Sequence, residues 1–375
     1  MTPETEEAVA EAIKTAQSPL AIQGGGTRGF KIEGETLSLA RLSGISLYEP
    51  GALTIVAQAG TPLRDINAAL SKENQRLAFE PMDHRTLLGT TGEPTIGGVI
   101  AGNISGPRRI QGGGARDYAL GVRFVDGAGA IVKNGGRVMK NVTGYDLVKL
   151  MSGAFGTLGV LTEVSLKVLP IPETQATLIL HGLDDAQAVQ AMSAAMGSPF
   201  EVSGAAHSAK IMESGPATLL RVEGFETSVE YRIGRLRDLL APICSEASVA
   251  DAALTEDLWC NVRDVAQWRD LPDDIWRISC KPSDAPALMG RSGATAWYFD
   301  WAGGLIWVRM PQGGDLRETL GAFEGHATLV RSAPETRARV PVFHPEAAGI
   351  AKITAGLRAR FDPRGILNAG LMAGV

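Results

Sequence analysis

Glycine is concentrated in three short segments of the chain, and the first has the composition of a phosphate-binding loop. The segment Gln23–Gly29 reads QGGGTRG and directly follows the apolar run Leu20–Ile22. Because glycine lacks a Cβ atom, consecutive residues can adopt positive φ and turn their N–H groups inward, and such a concave backbone binds an anion. Two further segments follow, Pro94–Asn103 with Gly112–Gly114, and Gly153–Gly159. This pattern predicts that main-chain groups hold a phosphate-bearing ligand.

Two other interpretations of these glycines can be tested on the sequence. Gly24–Gly29 fits G-x-G-x-x-G, with Glu49 at a suitable distance to hold a ribose. A Rossmann unit, however, needs a helix to begin at the loop, and Phe30–Thr36 has no helical apolar period. We therefore reject that fold. A tight surface turn explains one or two glycines but not three clusters upstream of Pro170.

The elements around the glycines are predicted from apolar periodicity. It predicts a helix over residues 5–16, a strand over 20–22, and a β-rich run over 53–57. Thr61 is expected to be an N-cap, with Pro62 opening the next helix. A strand over 160–169 closes at Pro170, where we expect a domain boundary.

Beyond this boundary, strands alternate with helices in an α+β pattern. Strands are expected over 177–180, 219–222 and 304–308, and helices over 184–196, 227–241 and 347–361. In the last helix, Ile350, Ile353 and Leu357 share one face. The predicted domains are residues 1–172 and 173–346, followed by a C-terminal segment over 347–375.

Composition excludes several classes of protein. The chain has 375 residues, 45% of them hydrophobic, and a net charge of −5, which is typical of a globular protein and lacks the basic face of a nucleic-acid binder. Cys244, Cys260 and Cys280 lie far apart, so we expect free thiols, no iron–sulfur cluster and no metal site. The N-terminus resembles no signal peptide and no apolar run is long enough to span a membrane, so we expect a cytoplasmic protein with no direct membrane insertion.

The order of these motifs resembles the FAD-binding half of the vanillyl-alcohol oxidase, or PCMH-type, flavoprotein family. The resemblance rests on Ile22–Arg28, Val56–Gly60, Thr95–Gly98 and Gly156–Glu163, and covers about the first 170 residues. The closing segment Phe361–Asn368 is similar to the segment with which the family returns to the flavin domain. The implied fold is α+β, a PCMH-type FAD-binding domain of two subdomains followed by an α+β cap domain.

The resemblance also implies which residues contact FAD. The backbone of Gly24–Arg28 would hold the pyrophosphate, and later segments would line the flavin. The implied contacts are Gly24, Gly25, Gly26, Thr27, Arg28, Gly29, Pro81, Met82, Asp83, Thr95, Ile96, Gly97, Gly98, Asn103, Gly156, Gly159, Val160 and Asn368. Covalent members often attach FAD to a histidine in the pyrophosphate loop, whereas this loop offers Thr27 and Arg28, so non-covalent FAD is expected. A bond to His84 is the alternative.

Within that family, the chain is similar to the FAD-binding subunits of glycolate oxidases. The residues that carry this similarity are Glu80–His84, Gly102–Arg109 and Lys140–Leu147. It implies oxidation of glycolate to glyoxylate by a complex with a catalytic flavoprotein subunit and an iron–sulfur subunit, attached to the inner membrane only through these partners. A stand-alone FAD-dependent dehydrogenase of a 2-hydroxy acid such as D-lactate, and a scaffold subunit without flavin, remain as alternatives.

The sequence contains few candidates for catalysis. Oxidation of a 2-hydroxy acid needs a cation for the carboxylate and a base for the hydroxyl proton. Catalytic relatives carry a His-x-Gly-Asp-Gly-Asn-x-His segment, and the segment Tyr298–Trp307 that takes its place has no histidine. Arg108, Arg109 and His326 are the remaining candidates. Arg108 and Arg109 could equally be a solvated loop pair, and an isolated His326 could be structural.

Overall fold

The structure is a computed structural model that describes residues 1–137, 144–212 and 215–372. By their internal contacts, these residues group into two compact units. Unit 1 comprises residues 1–106, 113–171 and 345 onward, and unit 2 comprises 107–112 and 172–344. The short segment 107–112, which carries Arg108 and Arg109, was not separated from the first domain in the sequence analysis. Residues 140–143 of the family-like run Lys140–Leu147 lie outside the described residues.

The bounds of the strands and helices are as follows. The strands are β1 (Leu20–Gln23), β2 (Glu35–Ser38), β3 (Ile45–Glu49), β4 (Thr54–Gln58), β5 (Gln75–Arg76), β6 (Ala119–Val125), β7 (Ile131–Gly135), β8 (Val160–Lys167), β9 (Leu169–Pro170), β10 (Thr174–His181), β11 (Gly204–Met212), β12 (Gly215–Gly224), β13 (Ala247–Ala250), β14 (Asp274–Cys280), β15 (Ala296–Asp300), β16 (Leu305–Met310) and β17 (Gly325–Arg331). The helices are α1 (Glu6–Thr15), α2 (Leu63–Ser71), α3 (His84–Leu88), α4 (Ile96–Ala101), α5 (Arg109–Gly112), α6 (Ala115–Tyr118), α7 (Leu147–Met151), α8 (Asp185–Met196), α9 (Glu226–Leu240), α10 (Ala252–Asp264), α11 (Ala285–Arg291), α12 (Leu316–Leu320), α13 (Pro334–Arg337) and α14 (Ala348–Phe361).

Unit 1 contains a five-stranded antiparallel sheet in the order β3-β4-β8-β6-β7, and a separate parallel pair, β1-β2. Strand β8 lies at the centre of the larger sheet and buries residues on both faces, including Val160, Val164 and Leu166. Burial of each such side chain contributes about 1.5–3 kcal/mol. Helix α1 packs Val9 and Ile13 against the same core. The pair β1-β2 packs against this hydrophobic core, and the glycine loop begins at the end of β1.

Unit 2 is built on an eight-stranded antiparallel sheet in the order β13-β10-β12-β11-β15-β16-β14-β17. Residues alternate between its faces. On β14, Trp276 and Ile278 belong to the hydrophobic core, so Arg277 and Ser279 point to the other face. Helix α8 packs on the core side and begins with a capping box between Asp184 and Gln187. Because Trp276 and Ile278 pack in the core, only the side chains on the opposite face of β14 are available to contact a ligand.

One local expectation was wrong. Thr61 does not cap a helix: its hydroxyl is buried, accepts a hydrogen bond from Gly44 N–H (2.9 Å) and donates to Gln58 O (2.7 Å), while α2 begins after Pro62. The expected helix α14 is confirmed; Ile350 and Ile353 on its apolar face are 55% and 62% exposed, whereas Leu357 packs partly on the unit 1 core. The described part of the chain contains no helix that is both long and apolar enough to cross a membrane.

Candidate functional site

A cavity of about 410 Å³ in unit 1 opens at the end of β1. The main chain of residues 21–32 forms one wall, and Thr95, Gly98 and Gly102 at or near α4 contribute to another. A smaller cavity of about 80 Å³ is lined by Gly97, Gly156, Gly159 and Val160, among others. The two cavities share wall residues Ile22, Gly24, Gly98, Ala101, Phe155 and Asn368. The larger cavity alone has the volume of a small-molecule site.

The loop after β1 presents four consecutive backbone donors. The N–H groups of Gly24, Gly25, Gly26 and Thr27 donate no hydrogen bond to any residue that the structure describes. On the same edge of β1, Leu20 N–H donates to Ile366 O and Ile22 N–H to Asn368 Oδ1, both at 2.7 Å, so Gly24 N–H is the next donor in that row. Buried or half-buried N–H groups need an acceptor. A pyrophosphate supplies several, and the loop therefore fits the phosphates of FAD.

Glycine is required in this loop mainly by close packing of main chain. A Cβ at Gly25 would lie 1.6 Å from Glu93 O, and one at Gly24 would lie 2.3 Å from Thr95 Oγ1. Positive φ occurs at Gly26 (70°) and Gly29 (62°) rather than at Gly25. The loop is thus held against the chain that leads into α4, with its free N–H groups at the cavity.

A cation and an amide complete the wall. The Arg28 guanidinium lies 5.4 Å from the ring centroids of both Phe30 and Phe155, a distance typical of cation–π contact. Asn368 Nδ2 donates to Phe155 O at 2.7 Å, while its Oδ1 accepts from Ile22 N–H. Asn368 therefore ties the C-terminal segment to β1 and to the third glycine cluster. The positive charge of Arg28 suits a phosphate ligand.

Most of the implied FAD contacts lie in the walls of these two cavities. They are Gly24, Gly25, Gly26, Thr27, Arg28, Gly29, Met82, Thr95, Gly97, Gly98, Gly156, Gly159, Val160 and Asn368. The other four, Pro81, Asp83, Ile96 and Asn103, lie outside these walls. Asp83 caps α3 and pairs with Arg85, Ile96 is fully buried, and Asn103 Oδ1 accepts from Arg116 N–H. Direct contact of each residue with FAD stays a prediction.

The sequence analysis did not assign several residues of the larger cavity to the site. Phe30, His84, Phe155 and Leu371 also line it. His84 was considered only as an attachment point, and it is indeed a buried wall residue. No sequence pattern pointed to the two phenylalanines, because neither lies in a segment with a regular spacing of apolar residues. They are brought together by the fold, with ring centroids 5.8 Å apart.

The catalytic candidates all fall in unit 2, and the structure separates their roles. Arg108 makes a two-pronged ion pair with Glu223, at 2.8 and 2.6 Å, and both side chains are nearly buried. This pairing gives Arg108 a structural task. Arg109 lies 4.9 Å from the ring centroid of Trp301, and Arg277 lies 5.1 Å from the same centroid. Arg277 was missed in the sequence analysis.

His326 lies on the same face of the unit 2 sheet as Arg277. In the antiparallel register, Arg277 pairs with Thr328 and Ser279 with His326. Paired residues of antiparallel strands point to one face. Burial lowers the pKa of Arg277 to about 10, and the charge of Arg109 adds to this effect. His326 is exposed to solvent, yet partial desolvation by its neighbours lowers its pKa, again with contributions from Arg277, His344 and Arg109.

The other histidines and the tryptophans of this unit have structural contacts. His207 is buried, with its Nδ1 2.9 Å from Thr218 Oγ1, and His181 Nε2 lies 2.8 Å from Ser248 Oγ. Trp297 Nε1–H donates to Asp185 at 2.8 Å. Within the described residues, no three histidine, cysteine or carboxylate side chains form a possible metal site. Cys244, Cys260 and Cys280 are free thiols.

Comparisons with known proteins agree with the fold and with the unit 1 cavity. Residues 1–135 match the family described as "FAD binding domain". The solved structure of an alkyldihydroxyacetonephosphate synthase aligns over 99% of this chain and 76% of its own, with a TM-score of 0.69 and 14% identity. That degree of identity shows the fold alone. Fold and cavity together define an FAD-binding oxidoreductase of the vanillyl-alcohol oxidase, or PCMH, type.

Two curated relatives narrow this class. Glycolate oxidase subunit GlcE of Escherichia coli (strain K12) is 34% identical over 98% of this chain and 95% of its own length. Glycolate oxidase subunit GlcD of Bacillus subtilis (strain 168) is 38% identical over 34% of this chain and 26% of its own length. The chain belongs to the GlcE-type FAD-binding subunits of the PCMH family. Its cofactor is FAD.

Proposed function

We propose that this chain is the FAD-binding subunit of a glycolate oxidase complex that converts glycolate to glyoxylate. The observation that carries the proposal is the similarity to the E. coli GlcE subunit, which extends over nearly the whole of both chains and so includes unit 2 as well as the cavity. The partners are a catalytic flavoprotein subunit and an iron–sulfur subunit. The electrons leave through the third subunit, because the three cysteines here are too widely spaced to ligate a cluster.

The residues of unit 1 suit a cofactor that is held without a covalent bond. FAD, when bound, supplies a group that can accept and pass on two electrons. The N–H groups of Gly24 to Thr27 and the Arg28 guanidinium would hold its phosphates. Asn368 and Phe155 would fix the wall beside them. Release of intact FAD by acid precipitation, with no flavin left on the peptides, would support this binding mode, whereas a flavinylated His84 peptide would contradict it.

Helix α14 supports a role within a complex. None of its 14 residues is buried, although Leu357 and Phe361 pack partly on the unit 1 core. A helix gains most of its stability from packing an apolar face. Ile350 and Ile353 expose their side chains to solvent, and adjacent exposed apolar residues of this kind favour a protein interface. We infer that another subunit covers this face.

One experiment tests the proposal directly. The chain is purified alone and with the co-expressed flavoprotein and iron–sulfur subunits, and visible spectra are recorded anaerobically before and after glycolate is added. We expect a flavin spectrum from the lone chain that stays oxidised, and bleaching with glyoxylate formation when the partners are present. Absence of an association with the partners would overturn the proposal.

A second candidate is an independent FAD-dependent dehydrogenase of a 2-hydroxy acid. The cations Arg109 and Arg277 at Trp301 favour it, because a substrate carboxylate needs such a group. Bleaching of the lone chain by glycolate or D-lactate would support this candidate over the first.

A further inference from the structure

The glycine loop of unit 1 is supported by a chain segment that does not line the ligand cavity. Thr90 Oγ1–H donates to Thr27 O at 2.9 Å. A Cβ at Gly92 would overlap Gly25 O, so the two main chains are in direct contact. None of residues 85–93, which the structure describes throughout, lines either cavity. These residues would therefore act on a ligand through the loop rather than by contact.

The contacts with this segment fix the direction of N–H groups in the loop. In a trans peptide, the carbonyl oxygen and the next N–H point to opposite sides. Gly25 O faces Gly92, so the Gly26 N–H points away from residues 90–93. Gly26 is one of the four loop residues whose N–H donates to no residue that the structure describes. The carbonyl of Thr27 is held in the same way by its hydrogen bond.

Arg85 holds the ends of this segment together. Its Nε donates to Asp83 Oδ1 at 3.1 Å, and its Nη2 donates to Asp83 Oδ2 at 2.8 Å. The remaining nitrogen, Nη1, donates to Glu93 Oε1 at 2.8 Å and to Gly92 O at 3.4 Å. A planar fork of five donors allows one side chain to make these contacts together. Residues 83–93, closed in this way by Arg85, form the supporting segment of the loop.

The helix within the supporting segment is too short to hold its position alone. Helix α3 has five residues and ends at Gly89, where φ is 64°. An isolated helix of this length is not stable in water, so its position depends on contacts with the rest of the chain. Asp83 contributes twice, because it also caps α3 by accepting from Arg85 N–H at 3.0 Å. The ion pairs of Arg85 therefore help to fix the positions of Thr90 and Gly92.

The same ion pairs should contribute little to the stability of the whole unit. The side chains of Arg85, Asp83 and Glu93 are 35%, 30% and 39% exposed. Ion pairs at this degree of exposure are screened by solvent and have small effects on the free energy of unfolding. The loss of Arg85 is consequently expected to act locally, on the loop.

We propose that Arg85 and Thr90 are positioning residues for FAD, which hold the glycine loop in its phosphate-binding conformation before the cofactor binds. Donors that are already oriented lose less conformational freedom on binding, so the affinity is higher. Asp83 takes part through Arg85 rather than by contact with the flavin. This role concerns FAD alone and requires neither glycolate nor a partner subunit, so it goes beyond the proposed function.

The hydroxyl of Thr90 can be removed with almost no change of shape. FAD is titrated into the apoprotein of the full chain, well below its melting temperature, and quenching of flavin fluorescence gives the dissociation constant. Thr90→Val should raise this constant about tenfold, in line with the loss of one hydrogen bond to the loop. Thr90→Ser retains the hydroxyl and should bind nearly as the wild type does. Thr91→Val, at an exposed neighbouring position, is the matched control.

Two results of this titration would overturn the role of the hydroxyl. One is wild-type affinity in Thr90→Val, and the other is an equal loss of affinity in Thr90→Val and Thr90→Ser.

Substitution of Arg85 separates positioning from a general structural role. Arg85→Met should raise the FAD dissociation constant about tenfold, and Arg85→Lys should recover part of the affinity. Arg41→Met removes an exposed ion pair with Glu4 elsewhere in unit 1, and this control should bind FAD as the wild type does. The melting temperatures of the Arg85→Met and Arg41→Met apoproteins should agree to within about 2 °C. A lower melting temperature of Arg85→Met with unchanged FAD affinity would overturn the proposal.

The double variant tests whether both residues act on one loop. Residues that act through a shared element give non-additive effects. Thr90→Val combined with Arg85→Met should raise the FAD dissociation constant by less than the product of the two single effects. A full product would show that the residues act independently and would overturn the shared support. All these titrations use FAD and the chain alone, so their results are independent of whether a complex oxidises glycolate.

Discussion

The two units offer negative ligands different kinds of partner. Unit 1 presents the main-chain N–H groups of Gly24 to Thr27, whereas unit 2 presents the guanidinium groups of Arg109 and Arg277. Main-chain donors carry no net charge and depend on how closely the backbone can be folded. Side-chain cations depend on which residues a strand register brings to one face. We therefore expect an added side-chain atom in the loop to disrupt the main-chain site of unit 1. Loss of a positively charged side chain should disrupt the site in unit 2.

We expect the largest effect on the unit 1 site from the addition of a single methyl group. Gly25→Ala places a Cβ 1.6 Å from Glu93 O, and neither backbone segment can move without displacing the loop. We expect FAD retention to be lost, measured as the ratio of flavin to protein absorbance after gel filtration.

Gly51→Ala is the matched control, because a Cβ at Gly51 would have no neighbour within 4 Å. It should keep wild-type flavin content. Circular dichroism distinguishes loss of FAD from loss of fold in Gly25→Ala. A fully flavinated Gly25→Ala protein would contradict the assignment of the loop.

A charge at Asn368 should weaken the same site without removing it. Asn368→Asp keeps the acceptor for Ile22 N–H, loses the donor to Phe155 O and adds a negative charge in the wall of both cavities. We expect the FAD dissociation constant of the apoprotein to rise about tenfold in a fluorescence titration. The exposed Asn67→Asp on α2 is the control. Equal affinities of the two variants would argue against an anionic group near Asn368.

The interface inferred at α14 should be separable from both ligand sites. Ile353→Glu places a charge on the exposed apolar face of the helix. We expect weaker association with the partner subunits, by about tenfold, and unchanged FAD content. Leu239→Glu, at an exposed position of α9, provides the comparison. Co-purification that is equally efficient for both variants would show that this face is not an interface.

The contrast between the units also explains what the sequence could predict. The loop Gly24–Gly29 was recognisable because its glycines are consecutive and directly follow an apolar strand, so the signal is local. The helices and strands that were predicted from apolar periodicity overlap observed elements for the same reason, whereas many of the shorter elements were not predicted. The role of Asn368 came only from the family resemblance, because it contacts Ile22 and Phe155, far away along the chain.

Arg277 shows the limit of such reasoning. Its neighbours are set by the register of β14 with β16 and β17 and by the turn at Trp301, and no local pattern encodes these. Arg108 and Arg109 were equivalent in the sequence, yet one pairs with Glu223 and the other stacks on Trp301. Likewise, the period of α14 predicted one apolar face, but only the structure showed that this face is exposed.

The smallest expected effect concerns pH, and it distinguishes the side-chain site from the main-chain site. The pKa of His326 is lowered by partial desolvation and by Arg277, His344 and Arg109, so the unfolded chain takes up a proton before the folded chain does as the pH falls. The folded state is consequently destabilised below the ordinary histidine pKa of 6.5, and the loss is complete once the pH passes the lowered value.

His326→Gln should remove this contribution. Between pH 7 and pH 5, its melting temperature should fall less than that of the wild type, by a margin of about 2 °C or less, given the exposure of the ring. FAD affinity, which depends on main-chain donors, should not differ between His326→Gln and wild type at any pH in this range. A pH-dependent difference in FAD affinity would mean that the two sites are coupled.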